Sequence, residues 1–321
     1  METFPAMPYE AWADSRATLH RFAQVVGKIR LAASPRRNHW WNVPFHLTGR
    51  GITTRPMGGP GDTVFTIDFD FVDHRLLVHS SDGRTVSLPL AGQSVASFHR
   101  GVFDALGHLG IAVRIHAEPF DLPGPPFAED TGHAAYDPAW ANRYWQVLGR
   151  VNLLLEEFAA RYSGKTSPVH HFWHTFDLAL TRFSDRHVDQ AADVDPVTRE
   201  AYSREVVSSG FWFGDEGHPA PAFYSYTAPE PPGLDRAPLR PAAARWTHLR
   251  GSLAVLDYDD ARAAPDPRAA VLEFWESAYE GGAGLAGWDV AGLACPGGVT
   301  DPRLADPGAG MPVSVSGAPR P

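Results

Sequence analysis

The sequence predicts an α+β protein made of two related halves, each an amphipathic helix, several antiparallel strands and a returning helix. Three observations carry this. Apolar residues recur at helical spacing in segments opened by Ser or Asp-Pro start signals; other segments alternate apolar and polar residues around an Asp-Gly turn; and one stretch near the start resembles a second stretch near the middle. Halves at 8–136 and 137–290 share one core, because no flexible linker separates them. The Gly- and Pro-rich stretch 294–321 lacks any aromatic residue and is expected to be a disordered tail.

In chain order, Trp12, Leu19, Phe22, Ala23 and Val26 fall on one face of a helix that Gly27 is expected to end. Phe65, Ile67, Phe69 and Phe71 alternate with polar residues, as a half-buried strand does. Segments 76–80 and 84–90 flank Asp82-Gly83 and predict a hairpin. Val95, Phe98, Val102, Leu106 and Leu109 predict a second helix capped by Ser94, followed by a strand at 111–116. Asp137-Pro138, Asp195-Pro196 and Asp266-Pro267 start three more helices, since Asp caps the first turn and Pro lacks only a donor that would be orphaned there. The first runs through Tyr144, Val151 and Phe158 toward Gly164, and the second is expected to embed Tyr202 and Glu205 as an i, i+3 pair within 196–207. Segments 222–227, 243–249 and 253–258 read as strands, and Pro-rich stretches at 119–126 and 219–241 as long connections.

The internal similarity pairs GKIRLAASPRRNHWWNVPFHLT (27–48) with GKTSPVHHFWHTFDLALT (164–181). Aligning Ser34-Pro35 on Ser167-Pro168 without a gap also matches Trp40 with Trp173, Leu47 with Leu180 and Thr48 with Thr181, against roughly one identity expected by chance. The second copy alone fits either helix or strand; Pro44 in the first copy argues against a helix, so both are expected to be strands. Alternation then places His171, Trp173, Thr175, Asp177 and Thr181 on one face, matched by Asn38, Trp40, Asn42, Pro44 and Thr48. Two such faces brought together would line a cleft with two indoles and several hydrogen-bonding groups.

Composition narrows the function. A net charge of −9 without a basic run is unlike a nucleic-acid binder. No apolar run approaches the ~20 residues that span a bilayer, no secretory signal is readable, and the single Cys295 fits a reducing compartment, so the expected location is the cytoplasm. No cofactor fingerprint, P-loop or nucleophile elbow occurs, and no cofactor is expected. His170, His171 and His174 invite a metal reading, but on a strand His170 and His174 stand about 13 Å apart, too far for one ion. The expected role is small-molecule binding, with Trp40 and Trp173 stacking the ligand, Asp177 and Arg182 anchoring it, and His39 or His171 moving protons. His170 and Glu205 complete the candidate acid–base set, and Asn42, Tyr202, Tyr224 and Tyr226 the candidate ligand contacts. Alternatives are a non-catalytic interaction module with exposed aromatics and a histidine-ligated metal enzyme.

The runs SPVHHFWHTFDLALTRFSDR (167–186), REAYSREVVSSGFWFGD (199–215) and AFYSYTAPEPPG (222–233), with GKIRLAASPRRNHWWNV near the start, resemble a bacterial family of uncharacterised proteins catalogued only as a domain of unknown function. The likeness covers about residues 12–288. It implies membership and supplies no activity, cofactor or catalytic assignment.

Overall fold

The computed structural model describes residues 4–248 and 251–301. Its first half holds α1 (Ala13–Ala33), the strands β1 (His46–Leu47), β2 (Gly51–Thr53), β3 (Met57–Gly58), β4 (Val64–Asp70), β5 (Arg75–Ser80) and β6 (Thr85–Pro89), and α2 (Val95–His108). The second half opens with α3 (Pro138–Ala160) and continues through β7 (His170–Phe172), β8 (Asp177–His187), the short α4 (Pro196–Ala201), β9 (Arg204–Trp212), β10 (Ala222–Ala228), β11 (Arg245–His248) and β12 (Ser252–Asp257). It closes with the short α5 (Tyr258–Ala263) and α6 (Pro267–Leu285). The fold is thus α+β, and each half runs helix, six antiparallel strands, helix.

The start signals work as expected. Ser94 accepts from Ser97 N at 3.2 Å, and the carboxylates of Asp137, Asp195 and Asp266 each accept two backbone N–H groups of the turn that follows. The hairpin turns at Gly83, whose φ of 88° few side chains tolerate. Both sheets are antiparallel, in the orders β1-β2-β4-β5-β6, with β3 against β4, and β11-β12-β10-β9-β8-β7. They meet edge to edge where Phe45 and His171 exchange backbone hydrogen bonds of 2.9 and 3.0 Å. One apolar core runs through both halves; Phe22 and Phe98 stack within it at 3.9 Å, and Phe158 meets Trp275 at 5.8 Å. No helix among the described residues is long and apolar enough to cross a membrane.

Several expectations are corrected. Gly27 does not end α1, which continues to Ala33 and stops before Pro35. The 27–48 and 164–181 segments are not twin strands. Residues Asn38–Trp40 form a 3-10 turn, and residues 173–176 are the tip of the β7–β8 hairpin, closed by Phe176 N to Phe172 O at 2.8 Å. Alternation therefore breaks between Phe172 and Asp177. The strands that correspond in order, β1 and β7, are those joined by Phe45 and His171; the gapless pairing of the two Ser-Pro sites sets Trp40's turn against the hairpin tip instead. Segment 111–116 finds no strand partner, although Ile111 is buried. Helix α4 ends at Ala201, so Tyr202 and Glu205 are not on one helix. At the start of the expected tail Ala294 is bridged to Tyr162 and Cys295 is 5% exposed; residues 302–321 lie outside the described residues.

Candidate functional site

The β7–β8 tip forms one wall of a cavity of about 210 Å³. Phe176 sits there at φ 59°, a left-handed conformation that costs a bulky residue on the order of 1 kcal/mol and persists only where packing imposes it. Its ring stacks on Tyr144 at 5.2 Å and on His20 at 4.6 Å. From α1, His20 Nε2 donates to the carbonyls of Trp173 (3.0 Å) and His174 (3.2 Å), pinning the tip. Burial, reinforced by the Arg16 charge, pushes the His20 imidazole down to about 3, so it is neutral at pH 7. Trp173 lies directly over Gly27, where α1 leaves room for an indole.

The other walls come from α1, the 119–126 loop and the end of β9. Gln24 exchanges hydrogen bonds with the backbone of Phe120 (2.7 and 2.9 Å), and Arg21 donates to Pro123 O at 2.7 Å, which holds this long loop against α1. The loop thereby presents Asp121, at φ 53°, to the cavity opposite His174 and Thr175. Arg16 donates to Gly214 O at 3.0 Å and faces Asp215, with Trp212 alongside. His174 is held below its ordinary pKa by burial, opposed by the charges of Asp177 and Asp121.

Behind this lining lies Asp177, 9% exposed. Its carboxylate accepts from Thr175 Oγ1 and from Tyr224 Oη, the latter at 2.5 Å. Tyr224 reaches Asp177 from two strands away, because β9 between them carries Gly210 opposite Tyr224. A Cβ at Gly210 would lie 2.5 Å from that hydroxyl and 2.4 Å from Leu178 O. Burial raises the Asp177 pKa while the two hydroxyl donors pull it down, and burial raises both Tyr224 and Tyr226 well above the phenolic range. Tyr226 stacks on Tyr224 at 6.3 Å and shares a 2.9 Å hydrogen bond with Tyr202. Thr175, Asp177 and Tyr224 are thus hydrogen-bonded from the cavity wall across β8, β9 and β10, and the Tyr202–Tyr226 pair stands beside them through the stacked rings of Tyr224 and Tyr226.

Asp177, Trp173, Tyr202, Tyr224 and Tyr226 thus belong to one assembly, and the other expected site residues lie elsewhere. His171 is fully buried, its ring against the Tyr144 hydroxyl, and burial lowers it to about 3. Trp40 borders a different part of the molecule, donating to Val197 O at 3.2 Å under the Arg36 guanidinium. The two indoles therefore do not share a cleft, because the first copy bends at His39 and Trp40, both at positive φ. His39 contacts Lys165 at 2.6 Å, and Asn42 accepts from Arg37 N at 3.2 Å. Arg182 is 1% exposed and committed to the core, paired with Glu276 at 3.1 Å and stacked on Phe158 at 3.6 Å. Glu205 accepts from Ser184 and Trp288 and pairs with Arg186 at 2.8 Å. His170 packs against His46 at the junction of the sheets.

Sequence reasoning did not assign Arg16, His20, Asp121, Trp212 and Asp215 to the site, although Trp212 and Asp215 close the 199–215 motif; His20 and Gln24, polar residues four apart beside the predicted apolar face of α1, were the available signal. It also missed Arg30, Arg37, Arg55 and His46, which surround His170. No group of three or more His, Cys, Asp or Glu among the described residues could hold a metal ion.

A family model described as a family of unknown function, DUF5996, matches residues 4–295, in agreement with the resemblance drawn from the motifs. No curated protein and no solved structure matches the chain.

Proposed function

Within the family of unknown function DUF5996, to which this chain belongs, we propose that the protein binds a small polar molecule in the cavity at the β7–β8 tip. The observation that carries this is convergence: His174, Thr175, Arg16, Asp121, Asp215 and Trp212, from four separate segments, border one concavity of about 210 Å³. Phe176 and Asp121, both at positive φ, stand on the same rim. The volume is below the roughly 300–1,000 Å³ of drug-sized pockets, so the occupant is metabolite-sized. Carboxylates and a guanidinium on opposite walls suit a molecule carrying both donors and acceptors, and the Trp212 indole supplies an apolar flank.

His174 is the proton-handling group of this reading. Its imidazole is neutral at pH 7, borders the cavity, and lies close enough to Asp177 to be influenced by its charge. A proton taken by His174 would be stabilised by Asp121 and Asp177. Thr175 and Tyr224 hold the Asp177 carboxylate in place, so its oxygens are not free to rotate away. Thermal-shift screening against a metabolite library tests the reading. A hit is expected to raise the melting temperature of the wild type and to lose that effect in Trp212→Ala and His174→Ala. A library that leaves the wild type unmoved, or shifts that survive both substitutions, refutes it.

A further inference from the structure

Away from that cavity, where the two sheets join, three guanidinium groups and two imidazoles gather without a carboxylate. Arg30 projects from the last turns of α1, Arg37 precedes the 3-10 turn, Arg55 lies between β2 and β3, His46 is on β1 and His170 on β7. Arg30 is 5% exposed and anchored by its Nε to Pro44 O at 2.6 Å, which leaves the fork of its guanidinium for another partner. The charges of Arg55 and Arg37 act on it, and no acidic side chain among the described residues pairs with any of the three. The neighbouring Arg36 shows the contrast, because Glu200 neutralises it at 3.7 Å. In a chain with 37 acidic and 28 basic residues, an un-neutralised triplet runs against composition.

Two further observations point to a ligand. The His170 ring is 1% exposed, yet its Nε2 has no hydrogen-bond partner, and buried polar atoms are rarely left so. It packs at 5.4 Å against His46, with Trp41 at 6.1 Å. Arg55 itself is held at φ 62°, a backbone cost not offset by any ion pair of its side chain. Like charges assembled at this expense are stabilised when a multivalent anion sits among them.

We propose that this junction is a binding site for a phosphate-class dianion, free or as the phosphate of a monoester. Arg30, Arg37 and Arg55 supply forked donors that match tetrahedral oxygens, and the neutral imidazole of His170 supplies one N–H from its unpartnered Nε2, while His46 is bonded to the Val169 backbone and packs beside it. A monocarboxylate offers one charge and two oxygens, and leaves the cluster mostly uncompensated. The half-buried Trp41 beside His170 is placed to meet the organic part of an ester and to report binding.

The test is titration calorimetry of the full chain with inorganic phosphate at constant ionic strength, with acetate as comparison and with Arg37→Gln and Arg55→Gln. Both arginine side chains are exposed, so the variants are expected to melt with the wild type. Saturable binding of one phosphate per chain is expected, weakened about tenfold by either substitution, as for loss of one charge-assisted hydrogen bond, with acetate binding at least about tenfold more weakly. Phenyl phosphate binding more tightly than inorganic phosphate, with quenched tryptophan emission, would identify the monoester as the source, and equal affinity the free anion. Absence of saturable phosphate binding to the wild type, or affinity that both variants leave unchanged, overturns the proposal.

Discussion

Gly27→Ala tests the packing that holds the β7–β8 tip. In an ordinary helix interior this substitution stabilises by about 1 kcal/mol, because alanine loses less backbone entropy than glycine. Here the added Cβ would stand 2.2 Å from Cγ, 2.3 Å from Cδ1 and 2.4 Å from Cδ2 of Trp173. Carbon atoms favour separations of about 3.5–4.0 Å, so the indole has to move by more than an ångström. It has little room, being 5% exposed and bounded by Phe120 and His174. Overpacking of this kind costs about 1–3 kcal/mol, and expelling a large aromatic altogether costs about 3–5. Net destabilisation of about 2 kcal/mol follows after the propensity gain. Gly149, inside α3 with nothing within 4 Å of a Cβ, is the internal control, and Gly149→Ala is expected to stabilise by up to about 1 kcal/mol. Urea denaturation followed by tryptophan fluorescence measures both. A Gly27→Ala variant as stable as Gly149→Ala would refute the Trp173 contact and the placement of the hairpin tip with it.

Acid should unfold the protein steeply. The imidazoles of His20, His46 and His171 are each lowered to about 3 mainly by burial, so the unfolded chain binds their protons first, and stability present at pH 7 is lost as pH falls from 6.5 toward 3. Three such protons give a slope of about 4 kcal/mol per pH unit near pH 5; Asp177, with its raised pKa, acts in the opposite sense, its contribution being lost as pH rises above the unfolded value. Stability that is flat between pH 6.5 and 4 would count against these burials. Glu276→Gln leaves the 1%-exposed Arg182 without its carboxylate and is expected to cost about 3–5 kcal/mol, with much of it recovered when Arg182→Met is added; an unaltered melting curve for the single variant would show the pair to be dispensable. Tyr224→Phe removes one of the two hydroxyl donors to Asp177 and should cost about 1–3 kcal/mol in chemical denaturation while raising the carboxyl pKa measured by NMR. An unmoved Asp177 titration would contradict that hydrogen bond.

The legible parts of the fold were those decided by neighbours in sequence. Asp-Pro starts, the Ser94 cap and the Asp82-Gly83 turn act within one turn of chain, and each appears where the residues indicate. Alternation located β4 and β5 because each buries one set of alternate side chains. The 164–181 segment misled because its apolar spacing fits a strand throughout, while the chain reverses at 173–176 without a Gly, Pro or Asn to mark it. What turns it is distant: His20 donating to two tip carbonyls, and Tyr144 stacking under Phe176. Gly27 misled in the same way, since a helix-ending glycine and one yielding to a tryptophan have the same letter. Of the expected site, Asp177 and the three tyrosines converge by strand order, whereas Arg182 was taken from the surface by its pairing with Glu276.

By itself the sequence determined the α+β class, most helix starts and the family, because local start signals, side-chain period and extended motifs are properties of contiguous residues. Only the tertiary structure decided which side chains meet. Gly210 opens a path from Tyr224 to Asp177, Gly27 admits Trp173, and the Phe45–His171 bridge gathers Arg30, Arg37 and Arg55 around two histidines. Those meetings depend on strand order and close approach between segments distant in sequence, from 47 residues apart for Tyr224 and Asp177 to more than a hundred for the others, which no local period encodes.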